Sequence, residues 1–279
     1  RRVLFRSFYA TPAATLSVSA IEPDWISQIV ATDFPLRNEA IQLIKEFDNI
    51  VFVDELVNST ITNIPEMDIP LISPFYGVPP RRMSAAKESF LKQWLDKMEK
   101  NAIIRRSSAT ATSPLHLVPK PGAQFRVTQD VSELNKHLAT LPGFLPVTRE
   151  KIQKVGGHAF YFSFDLINAY FQFKVSDPLC KLYAFSTPFG NYEWCNVLPQ
   201  GDKNAPAWVN TQLAIIFKEL QSLELYFDDA VGYADTPEDM LKELELFLMT
   251  CKTHNVKLAR KKCTVGATTI KAFGFTFNA

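Results

Sequence analysis

Apolar residues recur at helical spacing in several stretches of the chain. Over 36–48 (LRNEAIQLIKEFD), Ile41, Ile44 and Phe47 fall on one side. Over about 84–101, Phe90, Leu91, Trp94, Leu95 and Met98 form a stripe behind Ser84, a candidate N-cap. These aromatics read as core. A helix opens at Ala205-Pro206 and runs to about 221, with proline in the first turn, where its missing N–H costs nothing. Another starts at Thr236-Pro237-Glu238-Asp239, a capping threonine followed by proline and two acids, and turns Leu241, Leu244, Phe247, Leu248 and Cys251 inward.

Shorter runs read as strands. HLVPK (116–120) and QFRVTQDV (124–131) flank Pro121-Gly122 and predict a hairpin. AFYFSF (159–164) is a buried-strand run ending at Asp165. Short strands follow at 171–175, 182–186 and 192–197, then at 223–227 and 230–234 around Asp228-Asp229, and finally at 256–258, 263–265 and 269–277. Prolines at 12, 23, 35, 65, 70, 74, 79 and 80 break up residues 1–80, so the acidic stretch to about 75 predicts an extended arm over the next domain. The mixed order of helices and hairpins gives an α+β class with an antiparallel sheet.

Composition narrows the picture. With 279 residues, 47% apolar and 21% charged, the chain has ordinary globular composition and forms one large domain or two smaller ones. No apolar run approaches the roughly 18–20 residues of a membrane-spanning helix, so no membrane partner is expected. Cys180, Cys195, Cys251 and Cys263 contain no C-x-x-C, which disfavours a zinc or disulfide framework and fits free thiols in a reducing compartment. The net charge of +1 conceals an asymmetry: residues 1–75 carry 5 basic and 10 acidic side chains, residues 81–136 carry 11 and 5. Lys257, Arg260, Lys261, Lys262 and Lys271 make a second basic zone. Two such zones suggest a polyanion on one face, although solvated helix and loop surface gives the same distribution. The first 20 residues have three arginines and no acid, as in a transit peptide, but the opening Arg in place of Met points to a cut end.

Three aspartates carry the candidate chemistry. Asp165 ends an apolar strand, and Asp228-Asp229 interrupts another strand pair. A carboxylate at the end of a buried strand is costly unless paired or metal-bound. Adjacent acids repel each other, a strain that a hard cation such as Mg²⁺ relieves. Two ions ~3.5–4 Å apart can activate a hydroxyl and stabilise a leaving pyrophosphate. Taken alone, Asp228-Asp229 is equally ordinary turn chemistry.

The motifs around these acids go further. FRVTQDVSELNK (125–136), FSFDLINAYFQ (162–172), NVLPQGDKNAPA (196–207), YFDD (226–229), VKLARKKC (256–263) and FGF (273–275) occur in one order, with 35 residues from Asp165 to Gln200 and 28 from Gln200 to Asp228. In that order, from about residue 34 onward, the chain resembles the reverse transcriptase of gypsy-type LTR retrotransposons and, more distantly, the retroviral enzymes. The resemblance implies a right-hand polymerase, with an arm over 1–75, fingers from 76–139 and 173–204, and a palm with an antiparallel sheet from 140–172 and 205–279. It implies catalytic Asp165, Asp228 and Asp229, a metal site of these three with Leu166, and two Mg²⁺ ions replaceable by Mn²⁺. It further implies nucleotide contacts from Lys120, Arg126, Tyr170, Gln200, Gly201 and Lys262. Tyr170 takes the place of an aromatic beneath the sugar, which favours dNTPs over rNTPs. FGF takes that of the turn gripping the primer end.

The implied partners are an RNA or DNA template with primer, dNTP, and the remaining Pol segments: thumb, connection and RNase H. The chain stops at Ala279 without a thumb, so processive synthesis by this piece alone is not expected. The implied location is the cytoplasm, in a virus-like particle, or the nucleus. Four features depart from the family pattern. Ser132 stands where an Arg is usual, Asp202 replaces a bulky apolar residue and is expected to repel triphosphate or template, and Phe227 is expected to crowd the terminal sugar. The link from Pro206 to Tyr226 is also short. The alternative is therefore a weak or inactive nucleic-acid-binding remnant. A metal-dependent nuclease would use the same acids but leaves Tyr170, Pro199-Gln200-Gly201 and Arg126 unexplained.

Overall fold

The computed structural model describes residues 25–55, 58–120, 124–142 and 148–278. Helices α1 (Trp25–Ile29) and α2 (Arg37–Phe47) lead into the two-residue strand β1 (Phe52–Val53). Next come α3 (Ala85–Lys100), β2 (Ile104–Arg106), the hairpin β3 (Ser113–Lys120) and β4 (Gln124–Gln129), α4 (Leu134–His137) and α5 (Thr148–Val155). β5 (Phe160–Leu166) is followed by α6 (Asp177–Leu182), β6 (Phe185–Thr187) and β7 (Gly190–Trp194). The chain continues through α7 (Ala205–Ile216), β8 (Leu223–Tyr226), β9 (Asp229–Ala234), α8 (Pro237–His254), β10 (Leu258–Ala267), β11 (Thr269–Ala272) and β12 (Phe275–Asn278). Two five-stranded sheets result, in the orders β1-β10-β5-β9-β8 and β2-β7-β6-β3-β4. Both are antiparallel except for the pairs β1–β10 and β3–β6, which is the expected α+β class.

Alternation along β5 decides what each face of the first sheet does. Phe162, Phe164 and Leu166 point to the helical side, where the Phe164 ring stacks on Phe247 of α8 at 5.3 Å and Phe217 stacks on Phe247 from the other direction, also at 5.3 Å. Tyr161, Ser163 and Asp165 point to the opposite face. There Tyr161 packs with Val231, Tyr233, Val155 of α5, and Ile270 and Phe277 of the β11–β12 hairpin. The acidic end of β5 thus lies on the face that the long helices do not cover. α8 starts as its sequence predicts: the Thr236 hydroxyl accepts from the Asp239 N–H at 3.2 Å, and Asn255 closes the helix in a left-handed conformation. Ser84 precedes α3 in extended conformation, but its side chain makes no capping bond.

Several expected elements take another form. The run 171–175 is not a strand: Ala169–Gln172 is a 3-10 turn entered through Asn168 at φ 44°, and the buried Gln172 amide ties it down by donating to the carbonyls of Ile167 (2.8 Å) and Lys257 (2.9 Å). The first part of 182–186 ends helix α6, which the Ser176 hydroxyl caps by accepting from Leu179 N–H at 3.3 Å; the strand begins only at Phe185. The helix from Ala205 stops at Ile216, not near 221. Residues 256–258 and 263–265 belong largely to the single strand β10, whose register against β5 shifts between Leu258 and Cys263. Residues 269–277 are a hairpin turning through Phe273 (φ 55°) and Gly274 (φ 80°). The Pro121-Gly122 turn and residues 1–24 lie outside the described residues.

Residues 25–53, read as mostly an extended arm, are built into the first sheet. β1 pairs parallel to β10, and Ile44, Phe47 and Phe52 are buried in the main core. Arg260 on β10 anchors this segment. Its guanidinium donates to Asp48 (2.9 Å), Asp54 (2.8 Å) and Asn49 (2.6 Å) and lies over the Trp25 ring.

Gly232 on β9 faces Phe162 across the ladder, and a Cβ there would stand 2.1 Å from the ring. Since the ring is held among Phe164 and Phe247, it has no open space to move into. Gly232→Ala is expected to cost about 2–3 kcal/mol of stability through overpacking, measured by urea unfolding. A loss below about 0.5 kcal/mol would show that the ring yields freely.

Candidate active site

The register of β5 and β9 sets Asp165 directly opposite Asp229. β8 and β9 are joined by a two-residue turn, Phe227-Asp228, closed by the Tyr226–Asp229 pair. Phe227 takes φ 56° there, and its exposed ring stands edge-on to Tyr226 at 4.6 Å. The carbonyl of Asp228 accepts from Leu166 N–H at 2.7 Å, which fastens the turn to the end of β5. Three carboxylates expected from separate motifs therefore meet at one sheet end. Asp229 feels the crowding: desolvation, and then the charges of Asp228 and Asp165, push its pKa above the ordinary carboxylate range.

Among the described residues, Lys262 is the cation paired with these acids. Lys262 donates to Asp165 Oδ2 at 2.6 Å. That bond, assisted by the charges of all three aspartates, raises its pKa. Three carboxylates with one ion pair among the described residues leave an excess of negative charge at this sheet end. Among the described residues no three His, Cys, Asp or Glu side chains are drawn into a ready-made coordination shell. The donor set itself, all hard oxygen, fits Mg²⁺ or Mn²⁺. Leu166 is apolar and 1% exposed, so it can offer a metal only its main-chain carbonyl.

Tyr170 sits in the 3-10 turn after β5, half-buried, with its phenol pKa raised by burial and by the charge of Asp228. The charge of Asp228 therefore reaches it. Gln200 and Gly201 are exposed on the loop before α7. Gly201 has φ 110°, and a Cβ would stand 3.1 Å from Val131 Cγ2, so the loop rests closely on the end of the β4 segment. Asn135 clamps it, donating to the Gly201 carbonyl (2.9 Å) and accepting from Lys203 N–H (3.1 Å). Asn204 bridges to Leu141 N–H (2.8 Å) and the Ala139 carbonyl (3.1 Å). The roles of Asn135, Asn204 and Gln172 were not legible in the sequence. Each acts on backbone far away along the chain, and only the presence of an amide inside a recognisable motif hinted at them.

Asp202 corrects an expectation. Its carboxylate does not face a ligand: it is 3% exposed and accepts from the Tyr183 hydroxyl and the Asn204 N–H, both at 2.7 Å. Ser132 is an exposed turn residue whose N–H donates to Asp130 at 3.2 Å.

In the second sheet, Val118 pairs with Arg126 and Lys120 with Gln124, so Lys120 and Arg126 rise from one face of the β3–β4 hairpin, both exposed. Arg81 reaches the same face, bonded to Asp130 and to His116 Nδ1. The second basic zone divides. Arg260 and Lys257 turn toward the N-terminal segment, Lys257 donating to the Ile50 carbonyl, while Lys262 and Lys271 flank the carboxylates. Lys271 lines an open groove of about 460 Å³ with Asp229 and residues Ala272–Thr276.

Comparisons with known proteins agree with this arrangement. Residues 118–277 match the family described as reverse transcriptase (RNA-dependent DNA polymerase). The transposon Tf2-3 polyprotein of Schizosaccharomyces pombe is 27% identical over 202 residues, covering 72% of this chain and 15% of that polyprotein. The retrovirus-related Pol polyprotein from transposon 412 of Drosophila melanogaster is 28% identical over 178 residues, covering 61% of this chain and 14% of the polyprotein. The chain thus spans about 15% of the length of such relatives. Among solved structures, the foamy viral protease-reverse transcriptase in complex with RNA/DNA hybrid superposes with a TM-score of 0.83 at 17% identity, over 91% of this chain and 34% of that one. The prototype foamy virus protease-reverse transcriptase matches with a TM-score of 0.82 at 20% identity, over 91% and 34%. These structures share the fold, and the match over 118–277 takes in Asp165, Asp228, Asp229 and the loop before α7: the chain belongs to the reverse transcriptase (RNA-dependent DNA polymerase) family.

Proposed function

We propose that this chain is the catalytic region of a retrotransposon RNA-directed DNA polymerase that joins a dNTP to a primer 3′-hydroxyl on an RNA or DNA template. The observation that carries this reading is the cross-strand apposition of Asp165 and Asp229 with Asp228 in the adjoining turn. In this reading the first sheet with its helices is the palm and the second sheet is the fingers. The thumb, connection and RNase H segments of a longer Pol polyprotein are its partners, and its place is a cytoplasmic virus-like particle or the nucleus. Nucleic-acid partners are supported by structural neighbours solved with RNA/DNA hybrid and with double-stranded DNA.

Asp165, Asp228 and Asp229 would hold two Mg²⁺ ions. Bound there, the ions would make the primer hydroxyl a better nucleophile and offset charge on the departing pyrophosphate. The protein's own residues position and neutralise. Arg126, with its planar fork, and Lys120 face the triphosphate from the hairpin. Gln200 and Gly201 border the nucleotide. The Tyr170 ring occupies the space a ribose 2′-hydroxyl would need. Lys262, paired with Asp165, would hold that carboxylate in place and meet phosphate oxygens. Phe227 stands at the primer terminus. Of the features behind the binding-remnant alternative, Asp202 has its carboxylate turned inward and bonded.

Three outcomes are expected. In single-turnover addition of dTTP to oligo(dT) on poly(rA), with enzyme in excess and Mg²⁺ or Mn²⁺ present, Asp228→Asn should lose at least about a thousandfold in rate, ~4 kcal/mol. Undiminished addition by that variant would falsify the proposal. Tyr170→Ala should cut the preference for dTTP over UTP by about 10–100-fold; an unchanged ratio would make Tyr170 a core aromatic only. Asp229→Asn should raise the metal-free Tm by relieving repulsion, and Mg²⁺ should raise the Tm of the wild type but not of this variant. Equal Mg²⁺ responses would place the ions elsewhere.

A further inference from the structure

Asp202 is a buried carboxylate one residue beyond the exposed Gln200-Gly201 pair, and the nucleotide reading leaves it without a task. Both of its oxygens are engaged: Oδ2 accepts from Tyr183 and Oδ1 from Asn204 N–H, and it has no salt-bridge partner among the described residues. A carboxylate held this deeply persists only where its bonds are well formed. Tyr183 is fully buried, and desolvation together with Asp202 pushes its phenol pKa well above normal, so it remains a donor. Tyr183 is anchored in turn. Its carbonyl accepts from Gln129 Nε2 at 2.9 Å, and Gln129 Oε1 accepts from Trp194 Nε1 at 2.8 Å. A continuous line of hydrogen bonds therefore runs from β7 through β4 and Tyr183 to Asp202. On the other side Asn135 holds the carbonyl of Gly201. The loop is gripped from within at 202 and from the flank at 201, and exposure alternates accordingly: Gln200, Gly201 and Lys203 are out, Asp202 and Asn204 in.

We propose that Asp202, locked by the Tyr183 hydroxyl, is a positioning residue that sets the Gln200-Gly201 loop for the incoming nucleotide. The proposal rests on the polymerase reading. The pair does by hydrogen bonding what a bulky apolar residue at 202 would do by packing, so the two residues are a matched set. Replacing one partner strands the other in the interior, while replacing both with apolar groups removes the Tyr183–Asp202 mismatch and leaves only the Asn204 N–H unmatched.

The experiment compares the wild type, Asp202→Leu, Tyr183→Phe and the double variant Tyr183→Phe/Asp202→Leu. It uses two readouts: hydrogen exchange over 198–204 in the free protein, and dTTP addition resolved into KM and kcat. Asp202→Leu is expected to speed exchange about tenfold within that segment alone and to raise KM about tenfold with kcat within about twofold. The double variant, in which only the Asn204 N–H stays unmatched, is expected to regain part of both, to within about threefold of wild type. Unchanged exchange and KM in Asp202→Leu would overturn the proposal. So would faster exchange spread over the whole chain, or a double variant no better than the single. Should Asp202→Leu fail to fold, Asp202→Asn keeps the volume but cannot satisfy both donors, and a segment-confined change of about threefold is expected instead; its absence counts against the proposal. If the wild type adds no nucleotide, the polymerase reading fails, and the exchange arm alone decides whether the pair fixes the loop.

Discussion

Two like-charged carboxylates, Asp165 and Asp229, are held face to face by the ladder of β5 and β9, and the rest of the structure is arranged to tolerate that opposition. Like charges directly across a pair of strands push the strands apart. The opposing force lies on the other face of the same sheet, where Phe162, Phe164, Phe217 and Phe247 form a continuous aromatic layer. Gly232 lets the Phe162 ring lie against the neighbouring strand. Packing on one face thus holds in place a charge cluster on the other, and that cluster is what a divalent cation would recognise.

The same economy governs basic residues. Lys257, just before β10, and Arg260 and Lys262 on it lie close together, yet the structure uses them differently. Arg260 is bonded to Asp48 and Asp54 and binds the N-terminal segment to the sheet. Lys257 is turned to the Ile50 carbonyl, and burial lowers its pKa. Lys262 alone reaches the carboxylates. The acidic bias of the first 75 residues is therefore in part the counterpart of a basic strand more than 200 positions away, and the N-terminal segment supports the strand that delivers Lys262.

The loop before α7 shows a second kind of support, built from neutral amides. Asn135, Asn204 and Gln129 each satisfy backbone groups contributed by other segments, in the way Gln172 joins the turn after β5 to the start of β10. Amides with both ends bonded favour one geometry over its neighbours, which suits the proposed role of this loop beside a nucleotide.

Local pattern was enough for the long helices, the aromatic strand ending at Asp165, the hairpin holding Asp228-Asp229 and the proline-led starts of α7 and α8, because propensity, alternation and capping are properties of neighbouring residues. Motif order was enough for the family and for singling out the three acids that the sheet brings together. Short elements were misread where a distant group decided the conformation. The turn at 169–172 depends on Gln172 bonding Lys257, and the strand at 52–53 exists only because β10 offers an edge. The meaning of charge was equally out of reach. Asp202 and Arg260 are unremarkable letters in the sequence, and side-chain partners that fix them, Tyr183 and Asp48, lie 19 and 212 residues away. The sequence by itself determined which residues form the elements and which chemistry they carry. Tertiary structure alone decided which charges face the site and which are spent holding it together, because burial and pairing are set by contacts between segments that the linear order keeps apart.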